Sequence, residues 1–176
     1  LDLARTRHLL GLFEPSHLQY EHDRPKDTAG EPSLAQMTAT AIQLLQKNPK
    51  GYFLMVEGGR IDHAHHYGNA YRALTDTIAF ADAVQAALDA TDAKDTLIVV
   101  TADHSHTLSF AGYPVRGNAI LGKVHGGADF EGGGHELARD QTGLPYTTLA
   151  YANGPGYPGA SDRQPEGPKK YPHSYS

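Results

Sequence analysis

Two short, uninterrupted apolar runs set the strongest limit on how this chain can fold. They are Tyr52-Phe53-Leu54-Met55-Val56 and Leu97-Ile98-Val99-Val100. Gly51 and Gly58-Gly59 bound the first, which is too short to be a buried helix and lacks the alternation of a half-exposed strand. Such a run fits a strand covered on both faces, as in a parallel sheet. Between the two runs, Tyr71, Leu74, Ile78, Ala81, Val84 and Leu88 fall on one side of a helix expected over about Asn69 to Leu88. Strand, long helix, strand is a βαβ unit, whose crossover is right-handed and whose strands are parallel. The fold class expected is α/β.

The remaining chain is read around that unit. Leu1 to Leu10 reads as an amphipathic helix interrupted by charges, and residues 11–32 as a loop without periodicity. Ser33 with Gln36 three residues later forms a capping box opening a further helix, with Leu34, Met37, Ala41, Leu44 and Leu45 on its apolar face. That helix ends before Pro49. Gly112 to Gly143 is glycine-rich, Tyr146 to Ala152 reads as one more strand, and the chain is Pro/Gly/Ser-rich from Asn153. The segment after 112 is expected to be a surface insertion. Gly126-Gly127 and Gly132-Gly133-Gly134 neither follow a strand nor open a helix, so they are not phosphate loops.

Composition removes several function classes. A net charge of -5 leaves no basic stripe for nucleic acid, and the absence of cysteine removes disulfides, thiolate metal sites and a cysteine nucleophile. Neither apolar run is long enough to cross a bilayer. What remains unusual is histidine: 11 in all, five of them in two short runs.

Those runs follow the two apolar segments. The first reads Glu57-Gly-Gly-Arg-Ile-Asp62-His63-Ala-His65-His66, the second Thr101-Ala-Asp103-His104-Ser-His106. In open α/β sheets ligands collect at the carboxyl ends of parallel strands, so both runs are expected on one edge. Asp62 and His66 are four apart, which stacks them on one helical face within reach of a single ion. Carboxylate and imidazole without thiolate suit Zn2+, and an oxygen-rich neighbour suits Mg2+. An Asp-x-x-x-His pair by itself is usually a solvated helix face. The second cluster after a second buried run is what points to metal, and to more than one ion.

With both clusters in view, the chain resembles the alkaline phosphatases, above all their animal-type branch. Val56-Glu57-Gly58-Gly59-Arg60-Ile61-Asp62-His63 with His65-His66, and Thr101-Ala102-Asp103-His104-Ser105-His106, are similar to that family's two metal-binding segments. Gly11-Leu12-Phe13-Glu14-Pro15, Asn48-Pro49, Tyr71-Arg72-Ala73-Leu74-Thr75 and Ala152-Asn153-Gly154-Pro155-Gly156-Tyr157 are similar as well. The resemblance implies a three-layer α/β fold with a central, largely parallel sheet. Residues 1–112 would be part of its catalytic domain, and 113–176 a crown-like insertion with a Pro/Gly-rich tail.

By position, the resemblance makes Glu57 a Mg2+ ligand, Asp62 and His66 ligands of one zinc, and Asp103 and His104 ligands of a second. His63 stands where the family acts on phosphate through the Mg2+ shell or a water; His65 and His106 receive no ligand role. A calcium site would use the Phe13 carbonyl, Glu14 and Glu31, in a loop two residues longer than usual. The activity implied is hydrolysis of small phosphate monoesters through a phosphoserine, with a homodimer that is periplasmic, secreted or at the cell surface. The nucleophilic serine, the bridging aspartate, the phosphate-binding arginine and a third zinc-ligand histidine have no counterpart here; His173 lacks the expected setting. The chain is therefore expected to be a portion of a longer enzyme and inactive alone. A phosphodiesterase or sulfatase-like hydrolase of the same fold, or a non-catalytic metal-binding module, stays open as an alternative.

Overall fold

The computed structural model describes residues 1–110, 113–126 and 136–152. Gly127, the run Gly132-Gly133-Gly134, and everything from Asn153 through His173 to Ser176 lie outside the described residues. The elements are a single 3-10 turn at Arg24–Lys26, helices α1 (Leu34–Leu45), α2 (Arg60–His66) and α3 (Ala70–Ala90), and strands β1 (Leu108–Phe110) and β2 (Leu149–Tyr151). They divide into two compact units, Leu1–Ile61 with Arg72–Asp103, and Asp62–Tyr71 with His104–Ser176.

In the first unit, α1 starts as the sequence dictates. The Gln36 amide donates to Ser33 Oγ at 3.2 Å and the Ser33 amide donates to Gln36 Oε1 at 2.9 Å, satisfying two amides that no helical carbonyl can reach. Thr38 and Ile42 are the buried positions, while the expected apolar face of Leu34, Met37, Ala41, Leu44 and Leu45 is half-buried around them. Helix α3 runs within two residues of its expected bounds and buries Arg72, Ala73 and Ala83.

The loop before α1 has no periodicity because polar contacts fix it. Arg72 grips Asp23 with two hydrogen bonds, Nε to Oδ2 at 2.8 Å and Nη2 to Oδ1 at 3.1 Å, the fork geometry that only arginine supplies. Arg60 lies over the Tyr20 ring at 3.8 Å, with the Arg72 guanidinium 5.6 Å from the same ring. The Glu21 amide donates to both Asp76 oxygens at 3.3 to 3.4 Å.

Two expectations differ from the structure. Leu1 to Leu10 forms a turn closed by the Thr6 amide on the Asp2 carbonyl, with no helix. Leu1 and Leu10 stay exposed, so nothing holds an amphipathic face, and Lys47 Nζ instead takes the carbonyls of Leu3 and Thr6. The runs Tyr52–Val56 and Leu97–Val100 are not assigned as strands, and the parallel pairing is absent among the described residues. Without a neighbouring ladder their side chains stay outside, Phe53 at 89% and Leu97 at 86% exposure. The helix and strand content still fits an α/β class.

The second unit holds the one sheet of the described residues. Strands β1 and β2 pair antiparallel with Leu108 opposite Tyr151 and Phe110 opposite Leu149, so the strand expected at Tyr146 to Ala152 is present in its last half. Bridges Lys123–Thr147 and Arg139–Pro145 extend the contact, around a fully buried Val124. Among the described residues no helix is long and apolar enough to cross a membrane.

Burial pushes the Asp76 carboxyl up to about 6; the Glu21 amide and Arg60 oppose this, and Glu21 and Asp23 add to it. The folded chain therefore holds this proton more tightly than the unfolded one, so its contribution to stability is complete below pH ~4 and is lost as pH rises through ~6. Asp76→Asn is expected to gain about 1 kcal/mol over the native chain at pH 7, a value reduced for partial solvent screening, and nothing at pH 3.5. Urea unfolding at both pH values checks it; an equal change at both would contradict the assignment.

Candidate metal centre

Helix α2 carries the first cluster, and both of its ends are set by glycine. At its start, a Cβ on Gly58 would stand 3.2 Å from Ile61 Cδ1 and 3.4 Å from the Phe80 ring, so a side chain there would press Ile61 aside. At its end, Gly68 takes φ +61°, the Asn69 amide reaches the Ala64 carbonyl and the Gly68 amide reaches that of His65. That pair of bonds is the Schellman arrangement. Ala64 is fully buried, which turns the helix so that Asp62, His65 and His66 face the entry to β1.

There Asp62 meets three imidazoles. His66 Nε2 lies 3.4 Å from Asp62 Oδ2, His104 Nε2 lies 3.8 Å from Oδ1, and His106 Nε2 lies 3.9 Å from Oδ1. None of these is a hydrogen bond, and Asp62 Oδ1 is buried without any hydrogen-bond partner. Asp62, His66 and His106 each offer a ligand atom within 4.8 Å of the others. Two ligands of a tetrahedral zinc with bonds of ~2.0 to 2.1 Å stand about 3.3 Å apart, which the Asp62–His66 spacing matches. The donor set and the orphaned oxygen both fit a divalent cation.

The tautomers separate the roles of His104 and His106. His104 Nδ1 contacts the Ser105 carbonyl at 2.8 Å and must donate to it, so a neutral His104 presents the Nε2 lone pair toward Asp62. His106 Nδ1 instead accepts the Thr107 amide at 2.8 Å, which leaves the proton of the neutral ring on Nε2, on the Asp62 side. His104 thus turns a lone pair toward Asp62, and His106 turns an N–H toward it. Burial first, then the neighbouring His106, lowers the affinity of His65 for a proton and keeps it neutral near pH 7.

The structure thus brings together Asp62, His66 and His104 of the expected residues and adds His106. Glu57 and Asp103 belong to the first unit and are exposed there. His63 is half-buried on α2, one position beyond Asp62.

A second carboxylate cluster lies within the first unit: Glu14, Asp27 and Glu31. Glu31 is 5% exposed; its Oε1 accepts the Gln19 amide at 2.8 Å, while Oε2 is buried without a partner. Burial, then Asp27 and Glu14, hold the Glu31 carboxyl above its usual range, opposed mainly by the Gln19 amide. Asp27 is held below its usual range by the Glu31 and Ala29 amides. Phe13 is exposed beside Glu14 in the chain. Asp27 was not among the expected ligands; its signal is its place four residues before Glu31 in the lengthened loop.

Comparison with known proteins identifies a family for the chain. The family described as alkaline phosphatase matches residues 2–168. The tissue-nonspecific alkaline phosphatases of Gallus gallus, Rattus norvegicus and Homo sapiens are 48%, 47% and 47% identical over 157 residues, 89% of this chain. The chain spans 28% of the length of those relatives.

A hard divalent cation would relieve three carboxylates gathered as Glu14, Asp27 and Glu31 are. Millimolar Ca2+ is expected to raise the melting temperature of the chain by several degrees, about 1–2 kcal/mol at saturation well above Kd. Glu31→Gln should remove the shift. An equal shift in both chains, followed by calorimetry, would contradict the site.

Proposed function

The chain belongs to the alkaline phosphatase family, and on that footing we propose that it forms the metal-binding part of a phosphomonoester hydrolase. The observation that carries this reading is Asp62 Oδ1, sealed from water and unbonded between His104 and His106. Asp62 and His66 hold one zinc ion. Asp103 and His104 serve a second zinc, Glu57 a magnesium ion, and His63 the phosphate through the magnesium surroundings; these assignments rest on the match of the motifs to the family.

Zinc bound here supplies Lewis acidity toward a phosphate oxygen and lowers the pKa of a hydroxyl nucleophile. The chain's own residues do the placing. Asp62 and His66, one helical turn apart, would hold the cation, and His106 turns Nε2 toward the other oxygen of Asp62. Small phosphate monoesters are the substrates, hydrolysed through a phosphoserine whose serine lies outside this chain. Calcium is held by the Phe13 carbonyl, Glu14 and Glu31, with Asp27 added by the longer loop.

The same footing extends to the wider organisation. In the full-length enzyme the runs Tyr52–Val56 and Leu97–Val100, unpaired among the described residues, would become inner strands of a three-layer α/β fold with a largely parallel central sheet. Residues 1–112 belong to its catalytic domain and 113–176 to a crown-like insertion and tail. The working enzyme is a homodimer that is periplasmic, secreted or at the cell surface.

In the full-length enzyme, Asp62→Ala is expected to lower kcat/KM for an aryl phosphate about a thousandfold, several kcal/mol of transition-state stabilisation, and to reduce bound zinc. The 176-residue chain alone is expected to bind zinc and to show no turnover. Hydrolysis by the chain alone, or full activity after Asp62→Ala, would contradict the reading.

A further inference from the structure

Asp62 and His66 sit on α2, whereas His104 and His106 sit just before β1, some forty residues away along the chain. A cation site tolerates errors of only about 0.5 Å in such groups, so something besides the cation must register the two elements. The sequence offers no residue for that task. The structure shows one.

Tyr151 on β2 hydrogen-bonds through Oη to His65 Nδ1 at 2.9 Å. The His65 ring stacks on His106 with centroids 5.2 Å apart and planes 25° from parallel. His106 in turn meets His66 edge-on at 4.7 Å and turns Nε2 toward Asp62 Oδ1 at 3.9 Å. The circuit closes through the backbone. Tyr151 pairs with Leu108 across the sheet, and the Ala152 amide donates to the Thr107 carbonyl, one residue beyond His106.

We propose that Tyr151 is a positioning residue for the metal centre, acting through His65 to hold the His106 ring and so the Asp62 carboxylate. The proposal rests on the zinc reading of the Asp62–His66 pair. The Tyr151 hydroxyl holds the His65 ring, and the stacked face of His65 restrains the His106 ring with Nε2 turned toward the carboxylate. The antiparallel pair β1–β2 ties the tyrosine to the backbone that carries His106, so α2 and β1 keep their spacing before a cation arrives. Removing outer partners of metal-ligating groups weakens metal binding about 10- to 100-fold.

The test uses the complete 176-residue chain, with zinc affinity measured by chelator competition and the visible spectrum recorded with Co2+ in place of zinc. Tyr151→Phe keeps the ring and the strand and removes only the hydroxyl. It is expected to weaken zinc binding about tenfold and to shift the Co2+ absorption, with far-UV circular dichroism unchanged. His65→Phe keeps a stacking ring without the nitrogen and is expected to do the same, which provides the answer should Tyr151→Phe fail to fold. His65→Asn, whose amide replaces Nδ1, is expected to recover part of the affinity. Native zinc affinity and Co2+ spectrum in Tyr151→Phe or His65→Phe, with Asp62→Ala losing zinc, would overturn the brace alone. Unchanged affinity in Asp62→Ala would overturn the zinc reading and the brace with it.

Discussion

A carboxylate oxygen sealed from water needs a partner, and in this chain Asp62 Oδ1 has none among the protein's own donors at hydrogen-bonding distance. Leaving a buried acceptor unsatisfied costs about 1–3 kcal/mol. The imidazole nitrogens nearest to it, those of His104 and His106, stand 3.8 and 3.9 Å away, beyond hydrogen-bonding distance. Local structure follows from that constraint. Glycines let α2 start and stop within two turns, and buried Ala64 fixes which face of the helix carries the acid.

The two carboxylate-bearing clusters differ in chemistry as well as in place. Around Asp62 the partners are nitrogen, at spacings that suit a small tetrahedral ion. Around Glu31 they are all oxygen, on a loop that can supply several ligands at longer range, which suits a larger and harder ion. Glu31, like Asp62, keeps one oxygen sealed and unbonded. Arg72, Arg60 and Asp76 hold the neighbouring part of the same loop through Asp23, Tyr20 and Glu21. Polar anchoring there replaces the apolar face that the loop lacks.

Much of this was legible in the sequence where the signal is local. The Ser33–Gln36 cap, the long period of α3 and the four-residue spacing of Asp62 and His66 each depend on neighbours a turn away. Elements that depend on distant partners were not legible in the same way. The runs at Tyr52 and Leu97 read as buried strands, yet an apolar run becomes a strand only when another backbone hydrogen-bonds to it, and none does so among the described residues. Asp27 looked like one acid in a polar loop. Tyr151 carried no signal at all, because its partner His65 is 86 residues away.

X-ray absorption at the zinc edge of the zinc-loaded chain addresses the central claim most directly, since it reports the atoms around the ion without reference to activity. The expected spectrum has nitrogen and oxygen neighbours at about 2.0 Å with the multiple scattering of imidazole rings, and that ring signal diminishes in His66→Ala. A shell of water oxygens alone, identical in the native chain and the variant, would contradict it.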